Sequence, residues 1–243
     1  MLYLYGITGA QALPETLPLG LEDGLVSILP FDGIAAVTGE LRQGLPEASE
    51  ANLRRHFCVV EAFLAHGTVL PVRFGTAFAG LDGLRRHLEQ AYDVYASDLL
   101  RLHGQVEINV RAERREVRAL LPEIEADPVP ADAGPGMRYL AAKRILSARS
   151  LSRQREAWEL ADMLIERLGA QASRVQWHPL AASDAAGVSI AFLLPVERLD
   201  AFEEAVAAIR SPEQGLDILA SGPWPPYSFV SVPEASDAPS GIA

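Results

Sequence analysis

Between residues 104 and 230 the apolar spacing alternates between two and about 3.6, and that order of periods leaves few folds open. Val106, Ile108 and Val110 alternate with Glu107, Asn109 and Arg111, the pattern of a half-buried strand. A proline-rich stretch over 122–136 reads as a loop. A long helix follows over about 136–168, with Ile145, Ala148, Leu151, Trp158, Ala161, Ile165 and Leu168 near one face. Val175 and Trp177 mark a strand, residues 181–187 a turn, and Val188, Ile190, Phe192 and Leu194 the next strand. Val196, Leu199, Phe202, Val206 and Ile209 form a helical stripe, and residues 216–220 a last strand. The order is β-α-β-β-α-β, the ferredoxin-like arrangement.

The first hundred residues read as a separate α+β unit. Residues 2–7 form a short strand apolar enough to be buried on both faces. Two more strands, 25–29 and 33–38, flank the hairpin-like Pro30-Phe31-Asp32-Gly33. Ser49 is placed to cap a helix with Leu53, Phe57, Val60 and Leu64 on one stripe. A strand over 69–74 comes next. Asp82 then opens a helix striped with Leu84, Leu88, Ala91, Tyr95, Leu99 and Leu102. The expected fold is α+β in two domains: 1–103, a ferredoxin-like domain over 104–230, and a disordered tail over 231–243.

One segment fits neither pattern. Ser221-Gly222-Pro223-Trp224-Pro225-Pro226-Tyr227-Ser228-Phe229-Val230 has three prolines, which forbid a helix and remove backbone donors. It also carries Trp224, Tyr227 and Phe229. An extended segment so rich in aromatics needs a surface, either its own domain or a partner.

Four blocks also carry a family resemblance: Leu2-Tyr3-Leu4-Tyr5-Gly6-Ile7, Leu70-Pro71-Val72-Arg73-Phe74-Gly75-Thr76, Gly134-Pro135-Gly136-Met137-Arg138-Tyr139-Leu140, and the aromatic segment. In this order they resemble the gas vesicle protein family GvpF/GvpL, over about residues 2–230. The resemblance implies a two-domain α+β protein, an accessory or minor structural protein of gas vesicle formation. It also implies association with the hydrophobic shell protein GvpA and with other gas vesicle accessory proteins. A shell subunit with much apolar surface is prone to aggregate before assembly, and a soluble partner would limit that. Tyr3, Tyr5, Arg73, Phe74, Trp224 and Tyr227 are the candidate partner-binding residues. The alternative is a ferredoxin-like regulatory protein that binds a ligand and has no tie to gas vesicles.

Composition narrows the chemistry. The formal charge of −11 argues against nucleic acid, whose phosphates are bound by clustered Lys and Arg. No apolar run reaches the length of a membrane span, and the start lacks a basic signal-peptide region, so cytoplasmic residence is the default; the gas vesicle is the location that the resemblance implies. Cys58, the single cysteine, sits in an apolar helical pattern and reads as a small buried hydrophobe. The five histidines contain no i, i+4 pair for a metal, and His56 reads as a surface or capping residue. Nucleophile elbow, phosphate loop and dinucleotide fingerprint are all missing. The expectation is no catalytic, cofactor or metal site.

Two charged features remain open. Gly134-Pro135-Gly136 with Arg138 reads as loop geometry ahead of a helix, with an anion site as the sharper alternative. Arg73 reads as a partner-facing guanidinium or as half of an internal ion pair, and arginine's aptitude for partly buried pairs favours the second. Along the long helix, basic residues from Arg138 to Arg155 precede acidic ones from Glu156 to Glu166, against the helix dipole. That strip is either a solvated face, with pairs such as Arg155–Glu159, or a docking strip.

Overall fold

The computed structural model describes residues 1–10, 14, 16–114, 135–180, 186–210 and 215–231. The expected loop over 122–136, the turn after Pro179 and the tail beyond Ser231 lie largely or wholly outside the described residues. The strands are β1 (Leu2–Gly9), β2 (Val26–Phe31), β3 (Ile34–Glu40), β4 (Val69–Pro71), β5 (Ala77–Phe78), β6 (Gln105–Arg114), β7 (Arg174–Pro179), β8 (Gly187–Pro195) and β9 (Leu216–Trp224). The helices are α1 (Glu50–Leu64), α2 (Leu81–Arg101), α3 (Pro135–Leu168) and α4 (Leu199–Ile209). The chain is α+β with two antiparallel sheets. It divides into two compact units, Met1–Glu107 with Gly222–Ala243, and Ile108–Ser221. The first unit thus takes in the aromatic segment that the sequence pattern attaches to the second half.

In the first unit the sheet runs β2-β3-β1-β4, with β5 also paired to β1. The β2–β3 hairpin closes with Phe31 opposite Ile34. Asp32 and Gly33 between them have φ of 43° and 85°, the left-handed pair of a type I′ turn whose twist suits the strands. Residues 69–78 line the far edge of β1 in two pieces, Val69–Pro71 opposite Gly6–Thr8 and Ala77–Phe78 opposite Leu2–Tyr3. Across the break, Val72 N donates to Tyr5 O and Leu4 N to Thr76 O. Gly6 is held to glycine because a Cβ there would come within 2.8 Å of the Leu70 carbonyl oxygen.

Strand β1 is buried on both faces, as its apolar run implies. One face, with Tyr3 and Tyr5, packs against Val59, Val60 and Phe63 of α1. The alternate residues Leu4 and Leu70 are fully buried too, and α2 also packs on β1 and β4. Ser49 caps α1 as expected, its Oγ accepting from Asn52 N at 3.3 Å. The stripe itself differs from expectation. The buried positions are His56, Val59, Val60 and Phe63, whereas Phe57 and Cys58 are exposed. Treating His56 as polar surface shifts the apolar phase by about one residue. On α2 the stripe holds through Tyr95, Asp82 lies in the first turn after Gly80, and the next inward position is Asp98.

The second unit carries the expected β-α-β-β-α-β order, its sheet running β7-β8-β6-β9. Helix α3 packs on β7 and β8 and against α4. Phe192 of β8 meets Phe202 of α4 at 5.0 Å between ring centres. Among the described residues the inward positions of α3 are Ala157, Leu160, Ala161, Leu164 and Leu168; Ala161 and Leu168 match the expected face, and the expected Ile145 and Ala148 have side chains outside the described residues. Leu151 and Trp158 are exposed at 67% and 60%.

Candidate functional site

Five of the six candidate residues come together in the first unit around α1. Tyr3 and Tyr5 sit two apart on β1, so they share a face, with ring centres 4.7 Å apart. His56, one turn into α1, reaches Tyr3 at 5.8 Å, Tyr5 at 5.6 Å and Phe74 at 5.7 Å between ring centres. Phe57 follows on the outer side of α1 and meets Tyr227 at 5.4 Å and Trp224 at 6.5 Å. These tilted and edge-on spacings are those in which ring quadrupoles attract. The result is a continuous aromatic array from a buried end at Tyr5 to a partly open end at Phe57.

The buried end is fixed by hydrogen bonds. Tyr3 Oη accepts from Gly75 N at 3.1 Å and lies 3.0 Å from His56 Nδ1. Burial pulls His56 down to about 4, and the Val72 backbone offsets this only in part. Tyr5 Oη accepts from Leu21 N at 2.7 Å. Burial raises Tyr3, Tyr5 and Tyr227 above the ordinary phenol range. At neutral pH the array therefore offers neutral phenols and a neutral imidazole, hence apolar surface and hydrogen bonds rather than charge.

The open end depends on the C-terminal segment, which lies on the first unit and is held by two buried carboxylates. Glu107 accepts from Ser228 N at 2.7 Å and from Ser228 Oγ at 2.8 Å. Asp98 accepts from Ser231 N at 2.6 Å and from Ser231 Oγ at 3.1 Å. Arg101 donates to Asp98 at 2.6 Å and to the Phe229 carbonyl at 2.7 Å. Phe229 is buried, and Trp224 and Tyr227 are half-buried. The prolines explain why this works. Pro225 and Pro226, just past β9, remove donors from a backbone with no ladder partner there, so a few side-chain acceptors suffice.

Arg73 stands beside Phe74 but points to solvent and makes no ion pair with a described residue, so the expected internal pair is not among these contacts. Its carbonyl instead accepts from Thr76 N and Oγ1. His56, Phe57, Asp98 and Glu107 were missed as members of the array. For Asp98 a signal existed, an acid at the inward position of an otherwise apolar stripe. Among the described residues no group of three or more metal-ligating side chains converges, and no helix is long and apolar enough to cross a membrane. The Gly134 anion-site alternative falls at the edge of the described residues, and the side chain of Arg138 lies outside them.

The family described as "Gas vesicle synthesis protein GvpL/GvpF" matches residues 1–231. Gas vesicle protein F of Streptomyces sp. (strain CB03234) is 31% identical, covering 94% of this chain and 98% of the relative. Gas vesicle protein L of the same strain is 33% identical, covering 96% and 93%. The crystal structure of the gas vesicle protein GvpF from Anabaena sp. PCC7120 has the same fold, with a TM-score of 0.75 over 98% of each chain at 24% identity. The GvpF structure from Microcystis aeruginosa gives 0.76 at 21% identity, over 95% of this chain and 99% of that one. The chain belongs to the gas vesicle GvpL/GvpF family, and this displaces the ligand-binding regulator as a reading.

Proposed function

We propose that this family member is a non-catalytic accessory protein of gas vesicle formation, which binds the hydrophobic shell protein GvpA in the cytoplasm and limits its aggregation until it assembles. The family supplies the process. The observation that supports the surface is the open end of the aromatic array, where Phe57 is 41% exposed beside half-buried Phe74, Trp224 and Tyr227. Arg73 at its margin adds an exposed cation that pairs with no described residue. Rigid aromatic surface lined by a cation suits an apolar partner, because it buries large area with little side-chain entropy to lose. The buried end holds the open end in place without itself touching a partner.

Co-purification of GvpA with the intact chain tests this reading. Phe57→Ser is expected to abolish retention of GvpA with little change in melting temperature, since Phe57 lies on the outer face of α1. Retention unchanged by Phe57→Ser together with Arg73→Glu moves the surface elsewhere. No retention by the wild-type chain removes the functional reading itself.

A further inference from the structure

Helix α3 is 34 residues long, and among its described side chains the first buried one is Ala157. Every described side chain from Lys143 to Arg155 is exposed. Helices are marginal in water without tertiary packing, so a run this long of exposed described side chains favours a partner. On the outward side, Arg144, Leu151 and Trp158 recur at steps of seven, Arg155 follows Leu151 by four, and Asp162 and Glu166 continue from Trp158 by fours. Residues at these steps share one face. Read along the helix, the stripe is basic, apolar, basic, apolar, acidic, acidic.

That order is complementary to itself when reversed. We propose that α3 mediates self-association, two copies pairing antiparallel along this face about a two-fold axis beside Gln154 and Arg155. Residues equally far from the axis then meet, so Leu151 of each copy packs on Trp158 of the other. Arg144 of each lies beside Glu166 of the other, and the two separations fix the same axis to within one residue. Such a contact is isologous and closes at two copies. It also explains a charge order that is wrong for an isolated helix. In an antiparallel pair the basic half of each helix lies beside the acidic half and the negative dipole end of its partner. Arg155, nearest the axis, would face its own counterpart, and Glu159 already pairs with it at 3.3 Å. Trp158 is supported from behind by Trp177, edge-on at 4.8 Å, so the apolar knob is rigid.

Sedimentation velocity on the full chain over a concentration series tests the pairing, with circular dichroism as a check on folding. The expected result is a reversible dimer that weakens as salt rises. Arg144→Glu and Glu166→Arg should each weaken it roughly tenfold, since each replaces two attractive pairs by two repulsive ones. The two reversals in one chain should restore it, because both partners then exchange signs together. A monomer at every concentration overturns the proposal. So does a dimer indifferent to the single reversals, or one that the double reversal fails to rescue.

Discussion

Each unit presents an exposed aromatic group on a helix, and the two differ in what stands behind them. Phe57 on α1 backs onto His56, Tyr3 and Tyr5, which are buried and hydrogen-bonded, and is flanked by a C-terminal segment held by Asp98 and Glu107. Trp158 on α3 backs onto a single ring, Trp177, and the described side chains of its helix from Lys143 to Arg155 are exposed. The first surface is built into its unit by contacts that span most of the chain. The second is built by local helix periodicity, with Trp177 of β7 behind it. Mutations behind the first should therefore act on folding, and mutations behind the second on association.

The largest effect is expected at Asp98. Asp98→Ala leaves both Ser231 donors without their acceptor and the partly exposed Arg101 guanidinium with only the Phe229 carbonyl, and the lost buried acceptor should cost about 3–4 kcal/mol in all. Urea unfolding measures it, and hydrogen exchange should show residues 228–231 released first. A loss under about 1 kcal/mol would mean that the segment is not clasped and the contrast between the units fails. Phe229→Ala comes next, about 3 kcal/mol for a buried ring, with Trp224→Ala smaller because that ring is only half-buried.

His56 gives a pH signature of similar or smaller size. Its folded value of about 4 lies below the ordinary 6.5, so the unfolded chain takes up a proton that the folded chain refuses. Stability is then full above about pH 6.5 and falls as pH drops towards 4, by at most about 3 kcal/mol. His87, also lowered by burial, acts in the same direction. His56→Gln should flatten part of that slope in unfolding curves measured from pH 7 to 4.5. An unchanged slope would remove His56 from the buried array.

Gly20→Ala sharpens the same point, at about 1–3 kcal/mol. A Cβ there collides with the Tyr5 hydroxyl, which must then release Leu21 N. At the other extreme, Arg155→Ala breaks an exposed i, i+4 pair and should change monomer stability by no more than about 0.5 kcal/mol. Thermal melting separates the two.

How much of this was legible follows the same division. The second unit's element order could be read from Val106 to Ala220, because strands of period two and helices of period 3.6 leave local traces. The hairpin at Asp32-Gly33 and the Ser49 cap were equally local. The phases of α1 and α3 were not, since His56 is polar yet buried, and Trp158 is apolar yet exposed. Tertiary packing decided both. The clasp of the C-terminal segment left almost no trace, because Ser231 and Asp98 are 133 residues apart and Ser228 and Glu107 are 121 apart. Trp224, Tyr227 and Phe229 are identifiable as aromatics in need of a surface, and Tyr3, Tyr5 and Phe74 as members of apolar strands, but nothing local joins them in one array. Their meeting point, His56 with Phe57, was read as a histidine at the surface and a phenylalanine in the core, the reverse of where they lie.

The same division bears on how the chain should be cut. A fragment ending at residue 103 loses both Glu107 and the segment it holds, so point substitutions in the intact chain compare the surfaces more cleanly. The most direct comparison follows light scattering as GvpA aggregates in the presence of the wild-type chain, Phe57→Ser or Trp158→Ser. The first-unit surface predicts that Phe57→Ser loses the suppression while Trp158→Ser keeps it. Loss with Trp158→Ser and full suppression with Phe57→Ser would contradict that assignment and place shell-protein binding on the second unit.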